Sequence, residues 1–187
     1  SEERLMIITG NPKEGLAKAL YKIYPNAVFC SRETGADLTV TDHMFQFANE
    51  CTKHDIIILN SALWRFHQTV LLDIVYKALR NAKSEAHIVC IGSTVDRTKK
   101  GQAWLYGAEK KALRDYCNSL SLLGVWHSGP KTTYISFGTL SNNQHKHLDR
   151  KCMDIDQAAR YVKWLIEQPK DVNINEISID PMQERQK

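Results

Sequence analysis

The chain lacks several features that would narrow its function at once. Its five cysteines, Cys30, Cys51, Cys90, Cys117 and Cys152, are odd in number and scattered, with no Cys-x-x-Cys spacing. That argues against a disulfide framework and against the common zinc modules, and is expected of reduced thiols in a cytoplasmic protein. No apolar run approaches the ~18 residues of a membrane span, and no signal-peptide pattern opens the chain. No repeat or low-complexity stretch is present. The formal charge of +4 is mild and diffuse. It suits a small anionic ligand and is too spread out for a nucleic-acid surface; Lys99-Lys100 and Lys110-Lys111 form no stripe with aromatics, and Lys99-Lys100 are expected in a solvated turn. With 187 residues, 43% hydrophobic and 25% charged, residues 1–187 are expected to form a single domain with a real core.

What is present is alternation. Strand-like runs are Leu5–Thr9, Ala27–Ser31, a short Leu38–Val40, Asp55–Asn60, His87–Gly92, Lys131–Phe137 and Glu176–Ile179. The middle ones are nearly continuous in Ile, Val and Leu, as expected of strands buried on both faces of a parallel sheet. Helical stripes lie between them: Leu16 to Ile23, Val70 to Leu79, Leu113 to Leu123 and Ala158 to Ile166. This order predicts an α/β fold, a doubly wound parallel sheet with helices on both faces, in three α/β/α layers. In such a sheet ligands bind along the strand C-termini. Thr9, Ser31, Asn60, Ser93 and Phe137–Gly138 all fall at such ends.

Three of these ends carry chemistry. After the first strand, Gly10, Asn11, Lys13, Gly15 and Leu16 form a glycine-bearing turn into a helix, with Ala17 behind it. Such a turn can cradle a pyrophosphate at the helix N-terminus, or be an ordinary strand-to-helix connection. The second strand ends in Ser31-Arg32, where binders of NAD place an acidic residue. A guanidinium beside a hydroxyl fits a ribose 2′-phosphate, which favours NADP(H) over NAD(H), with Glu33 as a competing charge. After the fourth long run, Ser93 is followed thirteen residues later by Tyr106, and Lys110 lies four residues beyond. Tyr106 and Lys110 then share one helix face. A nearby ammonium favours the phenolate, and the serine hydroxyl can face the same point. Together the three can move a proton to or from a small carbonyl or alcohol.

These residues jointly resemble the short-chain dehydrogenase/reductases, over Leu5 to about Pro181. Thr9-Gly10 and Gly15-Leu16-Ala17 are similar to the family's opening. Asp42 is similar to its adenine-contacting aspartate, expected here after a third strand. Asn60-Ser61-Ala62 resembles the Asn-Ala-Gly segment beside the cofactor, and Gly138 with Leu140 resembles the segment touching the nicotinamide carboxamide. The segment Val172–Ile177 resembles the last strand of NADP-dependent members acting on small hydroxy acids and related alcohols.

The resemblance implies hydride transfer between nicotinamide C4 and a small carbonyl or hydroxyl substrate. Tyr106 would be the general acid or base, Ser93 would bind the substrate oxygen, and Lys110 would hold the ribose and favour the phenolate. It also implies a homodimer or homotetramer, because the stripes at Val70–Leu79 and Leu113–Leu123 exceed what one core face needs.

The departures mark a shortened member. The glycine spacing is one residue longer, the helix between the second and third strands is missing, and Phe137 stands where proline is usual. No asparagine occurs between Asn60 and Asn81 to hold the family's relay water; His67 or Gln68 falls near that place. The segment after Gly138 is short and polar for a substrate lid. A catalytically weak dinucleotide sensor or interaction module is the alternative reading. His145, His147, Asp149 and Cys152 match no zinc spacing and read as a solvated loop, so no metal site is expected. The four tryptophans read as packing residues, with Trp104 and Leu63 able to line a substrate pocket.

Overall fold

A computed structural model of the chain describes residues 3–97 and 101–185. Lys99 and Lys100 lie outside them. Six parallel strands form one sheet: β1 (Met6–Thr9), β2 (Val28–Cys30), β3 (Ile56–Leu59), β4 (His87–Ser93), β5 (Lys131–Phe137) and β6 (Glu176–Ile179), in spatial order β2-β1-β3-β4-β5-β6. Five helices connect them: α1 (Gly15–Ile23), α2 (Thr41–Cys51), α3 (His67–Asn81), α4 (Leu105–His127) and α5 (Ile155–Ile166). The doubly wound α/β expectation is met.

Both faces of the sheet are covered because its side chains alternate between two apolar clusters. Ile7, Ile57, Ile88, Cys90 and Tyr134 pack with Phe47 of α2, Leu72 and Val75 of α3, and Leu113 of α4. Ile8, Ile58, Val89, Ile91 and Ile135 face the other way, onto Leu16 and Leu20 of α1 and Val162 of α5. Truncating any of these isoleucines to Ala would cost about 2–5 kcal/mol, the usual range for a close-packed aliphatic side chain.

After β1 the chain passes to β2 on one side of the sheet and then returns to β3 on the other. The direction of winding therefore reverses between β1 and β3, and their C-terminal ends flank the crevice such a reversal leaves.

One expected element is overturned. Leu38–Val40 is a turn and not a strand. The Asp37 carboxylate accepts from Thr39 N at 3.1 Å and from Thr39 Oγ1 at 2.6 Å, which closes the backbone locally instead of offering it to a neighbouring strand. Val40 is exposed and α2 begins at the next residue. Both the helix and the strand of that connection are therefore missing, and β2 is the sheet edge. α2 itself was not anticipated. Its buried residues, Met44, Phe47, Ala48 and Cys51, have helical spacing, but they are diluted by Asp42, His43, Gln46, Asn49 and Glu50.

Candidate active site

The turn after β1 is tightly built. Gly10 has φ 138°, and a Cβ there would lie 2.9 Å from both Ala17 Cβ and Asn60 Nδ2. Only glycine allows the ends of β1 and β3 and the start of α1 to approach this closely. Gly10 N also donates to Cys30 O at 2.8 Å, tying in the end of β2. Thr9 Oγ1 accepts from both Asn60 N (2.9 Å) and Ser61 N (3.0 Å), so the Asn60-Ser61 segment hangs from β1.

Helix α1 starts at Gly15, in left-handed conformation at φ 59°, and no side chain caps its N-terminus. That leaves backbone donors and the positive end of the helix dipole for an anion, while the space beside Gly15 holds only Asn142 Nδ2, at 3.8 Å. Asn11 and Lys13 belong to the turn itself, with Lys13 N donating to Asn11 Oδ1 at 3.0 Å. Leu16 buries its side chain in the core and can serve a ligand only through its backbone. These residues fit a dinucleotide pyrophosphate.

At the end of β2, Ser31 and Arg32 enter a single 3-10 turn that closes on Gly35. The exposed Arg32 guanidinium lies 3.8 Å from Asp37. Asp37 is the acidic residue that meets Arg32, and the sequence reading passed over it. Asp42 lies exposed in the first turn of α2, with no third strand before it. Glu33 is also beside Arg32, and hydrogen bonding to Ser31 together with the neighbouring cations keeps its carboxylate ionised below its ordinary range.

The third region lies between β3, β4 and α4. Ser93 ends β4, and Tyr106 and Lys110 lie one turn apart on α4, as their spacing predicts. Burial raises the Tyr106 pKa above its ordinary value. A hydrogen bond from Ser93 opposes this, and the Glu109 charge adds to it. The phenol is therefore protonated at neutral pH.

Lys110 is buried and its Nζ stands 5.5 Å from the centre of the Tyr106 ring. Burial pulls its pKa down, while nearby acidic groups, Glu109 and Asp96 among them, hold it up. Lys110 Nζ donates to Gln68 Oε1 at 2.8 Å, and Gln68 Nε2 donates to the carbonyls of Ile91 (3.0 Å) and Leu59 (3.4 Å). Of the two residues near the missing asparagine, Gln68 is the one that reaches Lys110. His67 Nδ1 instead lies 2.5 Å from Trp64 O. The crevice lined by Ala62, Leu63, Trp64, Gln68, Tyr106 and Lys110 encloses about 10 Å³, room for one water.

Glu109 is a buried neighbour of the site that sequence reasoning missed. Its Oε1 accepts from Phe66 N at 3.2 Å. Its signal was periodicity: positions 109, 113, 116 and 120 follow one helical stripe, which placed a carboxylate on the core-facing side.

The segment after β5 is pinned down. Ser141 N donates to Met153 O and Met153 N to Thr139 O, both at 2.7 Å, and Leu140 forms a bridge with Met153. A Cβ on Gly138 would meet Asp180 Oδ1 at 2.8 Å and Pro181 Cδ at 3.0 Å, so this glycine admits the chain leaving β6. The histidine loop is organised by Gln144, which donates to His147 O and Arg150 O and accepts from Cys152 N. Among the described residues no three His, Cys, Asp or Glu side chains gather as a metal site, and no helix is long and apolar enough to cross a membrane.

No family model matches this chain, and no curated protein does. Solved structures do. The chain is similar to serine dehydrogenase from Escherichia coli, with 16% identity and a TM-score of 0.70 over 94% of this chain and 96% of that one. It is similar to a short chain dehydrogenase from Burkholderia cenocepacia in complex with NADP, with 13% identity and a TM-score of 0.75 over 94% and 88%. A short chain dehydrogenase family protein from Francisella tularensis matches at 17% identity and 0.72 over 96% and 98%. The chain has the fold of the short-chain dehydrogenase/reductases, in a shortened form with β2 as the edge.

Proposed function

We propose that the protein is an NADP(H)-dependent oxidoreductase of the short-chain dehydrogenase/reductase type, acting between carbonyl and hydroxyl groups. The observation that carries this reading is the placement of Ser93 at the end of β4 with Tyr106 and Lys110 one turn apart on α4, Lys110 being held by Gln68. Cofactor-bound structures of the same fold add support: one similar structure is a complex with NADP.

The dinucleotide would lie with its pyrophosphate on the Gly10–Gly15 turn and α1, its 2′-phosphate at Ser31 and Arg32, and its nicotinamide end near Asn60, Ser61, Gly138 and Leu140. When bound, it supplies or accepts the hydride. Ser93 donates to the substrate oxygen and orients it. Tyr106, kept protonated by burial, gives that oxygen a proton, which favours the direction of reduction. Lys110, fixed by Gln68, positions the ribose and offsets negative charge left on the phenol, and one water in the crevice can return the proton from solvent. A homodimer or homotetramer through α3 and α4 belongs to this reading. Val70 on α3, and Leu122, Val125 and Trp126 on α4, are exposed large apolar side chains on those two helices.

The sensor reading draws on the Lys110 ammonium, which is committed to Gln68 rather than to the phenol oxygen. Titration with NADPH and NADH, followed by tryptophan emission, tests the cofactor, since Trp64 and Trp104 stand beside Tyr106. Tight NADPH binding with carbonyl reduction that Tyr106→Phe abolishes is the expected result. Retained binding with no turnover of any carbonyl in the unaltered protein would select the sensor. Absence of binding to either dinucleotide would end both.

A further inference from the structure

Trp64 and Trp104 are large apolar side chains left in water, 65% and 46% exposed. Core packing does not account for them. Both rings nevertheless lie against one phenol: the ring centres are 5.5 and 5.2 Å from that of Tyr106, tilted by 51° and 41°. They come from separate segments, one following β3 and the other immediately preceding α4.

The segment carrying Trp64 is held under strain. Arg65 and Phe66 both adopt left-handed backbone, at φ 57° and 63°, a conformation that costs non-glycine residues free energy and concentrates at functional sites. Three contacts hold it there. Phe66 N donates to the buried Glu109, and His67 meets Trp64 O through both its backbone N (3.3 Å) and its Nδ1 (2.5 Å). A carboxylate is rarely buried without a structural task. Here it anchors the turn that presents an indole to Tyr106.

The crevice behind Tyr106 has room for one water only, so the body of a substrate must rest outside it, against the two indoles. Among the described residues, two cations of this region already have partners. Arg97 is engaged by Asp96 at 3.5 Å and Ser136 at 3.4 Å, and Lys110 by Gln68, so stacking on the indoles is the interaction this face offers most directly.

We propose that Trp64 and Trp104 form an aromatic clamp for a flat, conjugated carbonyl compound, an aryl ketone or aldehyde, with its oxygen on Ser93 and Tyr106. This rests on the oxidoreductase reading. In the step, the carbonyl carbon gains a hydride from reduced nicotinamide dinucleotide, and its oxygen gains the Tyr106 proton. The products are the alcohol and the oxidised dinucleotide, and the phenolate is reprotonated from solvent.

The test is binding, measured by saturation-transfer NMR with and without NADP⁺, of acetophenone, cyclohexyl methyl ketone and pyruvate. Acetophenone should bind at least fivefold more tightly than its saturated counterpart, and pyruvate should not compete. Trp64→Ala and Trp104→Ala should each remove roughly five- to tenfold of the acetophenone affinity, the scale of one aromatic stacking contact. Glu109→Gln, which keeps an acceptor for Phe66 N, should retain most of it, and Glu109→Ala should not.

Equal binding of the two ketones, or preference for pyruvate, overturns the clamp. NADPH-dependent reduction of pyruvate would then leave the oxidoreductase reading intact. Acetophenone held by both tryptophans in a protein that binds no dinucleotide supports the clamp and sinks the oxidoreductase reading.

Discussion

The two halves of the C-terminal sheet edge are built on different principles. On the β1–α1–β2 side the candidate binding groups are backbone amides, two glycines and exposed side chains such as Arg32 and Lys13. On the β3–β4–α4 side they are buried side chains tied to distant partners: Lys110 to Gln68, Tyr134 to Asp96, and Glu109 to the Phe66 amide. The first arrangement is local in sequence and tolerant of what lies around it. The second depends on partners about 40 residues apart, and each member is left in an unfavourable state when its partner is removed.

Substitutions that break the second half should therefore cost most. Gly92→Ala would put a Cβ 2.0 Å from the Tyr134 hydroxyl, which is fully buried and held by Asp96 at 2.7 Å. A loss of about 3 kcal/mol or more, or failure to fold, is expected in urea unfolding. A variant of near-native stability would show that this corner can move after all.

Gln68→Leu leaves the buried Lys110 ammonium and two backbone carbonyls without their partner. Stability should fall by about 3 kcal/mol, and the Lys110 pKa should drop further. Denaturant unfolding and NMR titration of Lys110 check both, and an unchanged pKa would contradict the link to Gln68.

His87 sharpens the contrast from the opposite end of β4. Burial, with Lys131 and Arg4 nearby, lowers its pKa from 6.5 to about 4, and its Nε2 lies 2.8 Å from Thr133 Oγ1. The unfolded chain binds the proton more readily, so this stabilisation is complete above pH 6.5 and is lost as pH falls toward 4. The loss is on the order of 2–3 kcal/mol. The difference in unfolding free energy between the wild-type protein and His87→Gln should shrink over that window, with dinucleotide binding unaffected at neutral pH.

Gly10→Ala belongs to the first half and should cost about 2 kcal/mol, from its φ and the two 2.9 Å contacts, along with most dinucleotide affinity. Arg32→Ala should move stability by less than about 0.5 kcal/mol, because the guanidinium is exposed. It should weaken NADPH by roughly tenfold and leave NADH unchanged, the scale of a charge-assisted contact. Equal losses for both cofactors would show that Arg32 does not read the 2′-phosphate.

The same contrast explains what could be read in the sequence. The buried strands and four of the five helices were legible because parallel-sheet strands are continuous apolar runs and the helices carry wide stripes. Leu38–Val40 misled because three apolar or β-branched residues carry a strand signal, while the deciding contact, Asp37 with Thr39, is a side-chain turn. The positions of Ser93, Tyr106 and Lys110 followed from spacing along one strand end and one helix. The choice of Gln68 over His67 did not, because it depends on where α3 meets α4 in space. Trp64 was read as packing, since an exposed tryptophan cannot be told from a buried one by its neighbours in the chain. Asn173 and Asn175, part of the likeness to hydroxy-acid enzymes, are occupied with Ser121 and the Thr132 carbonyl, so that segment describes how β6 is fastened.

The loss of a strand beyond β2 also bears on how this molecule meets other copies of itself while it folds. An open sheet edge is a template on which a passing chain can add a strand, the first step of amyloid-like aggregation. Here that edge is only three residues long. It stops at once in the Ser31–Gly35 turn, whose amides are already engaged with Ser31 O, Arg32 O and Thr34 Oγ1. Brevity and a self-closing turn protect the edge that the missing strand leaves, so shortening the sheet on this side need not make it sticky there.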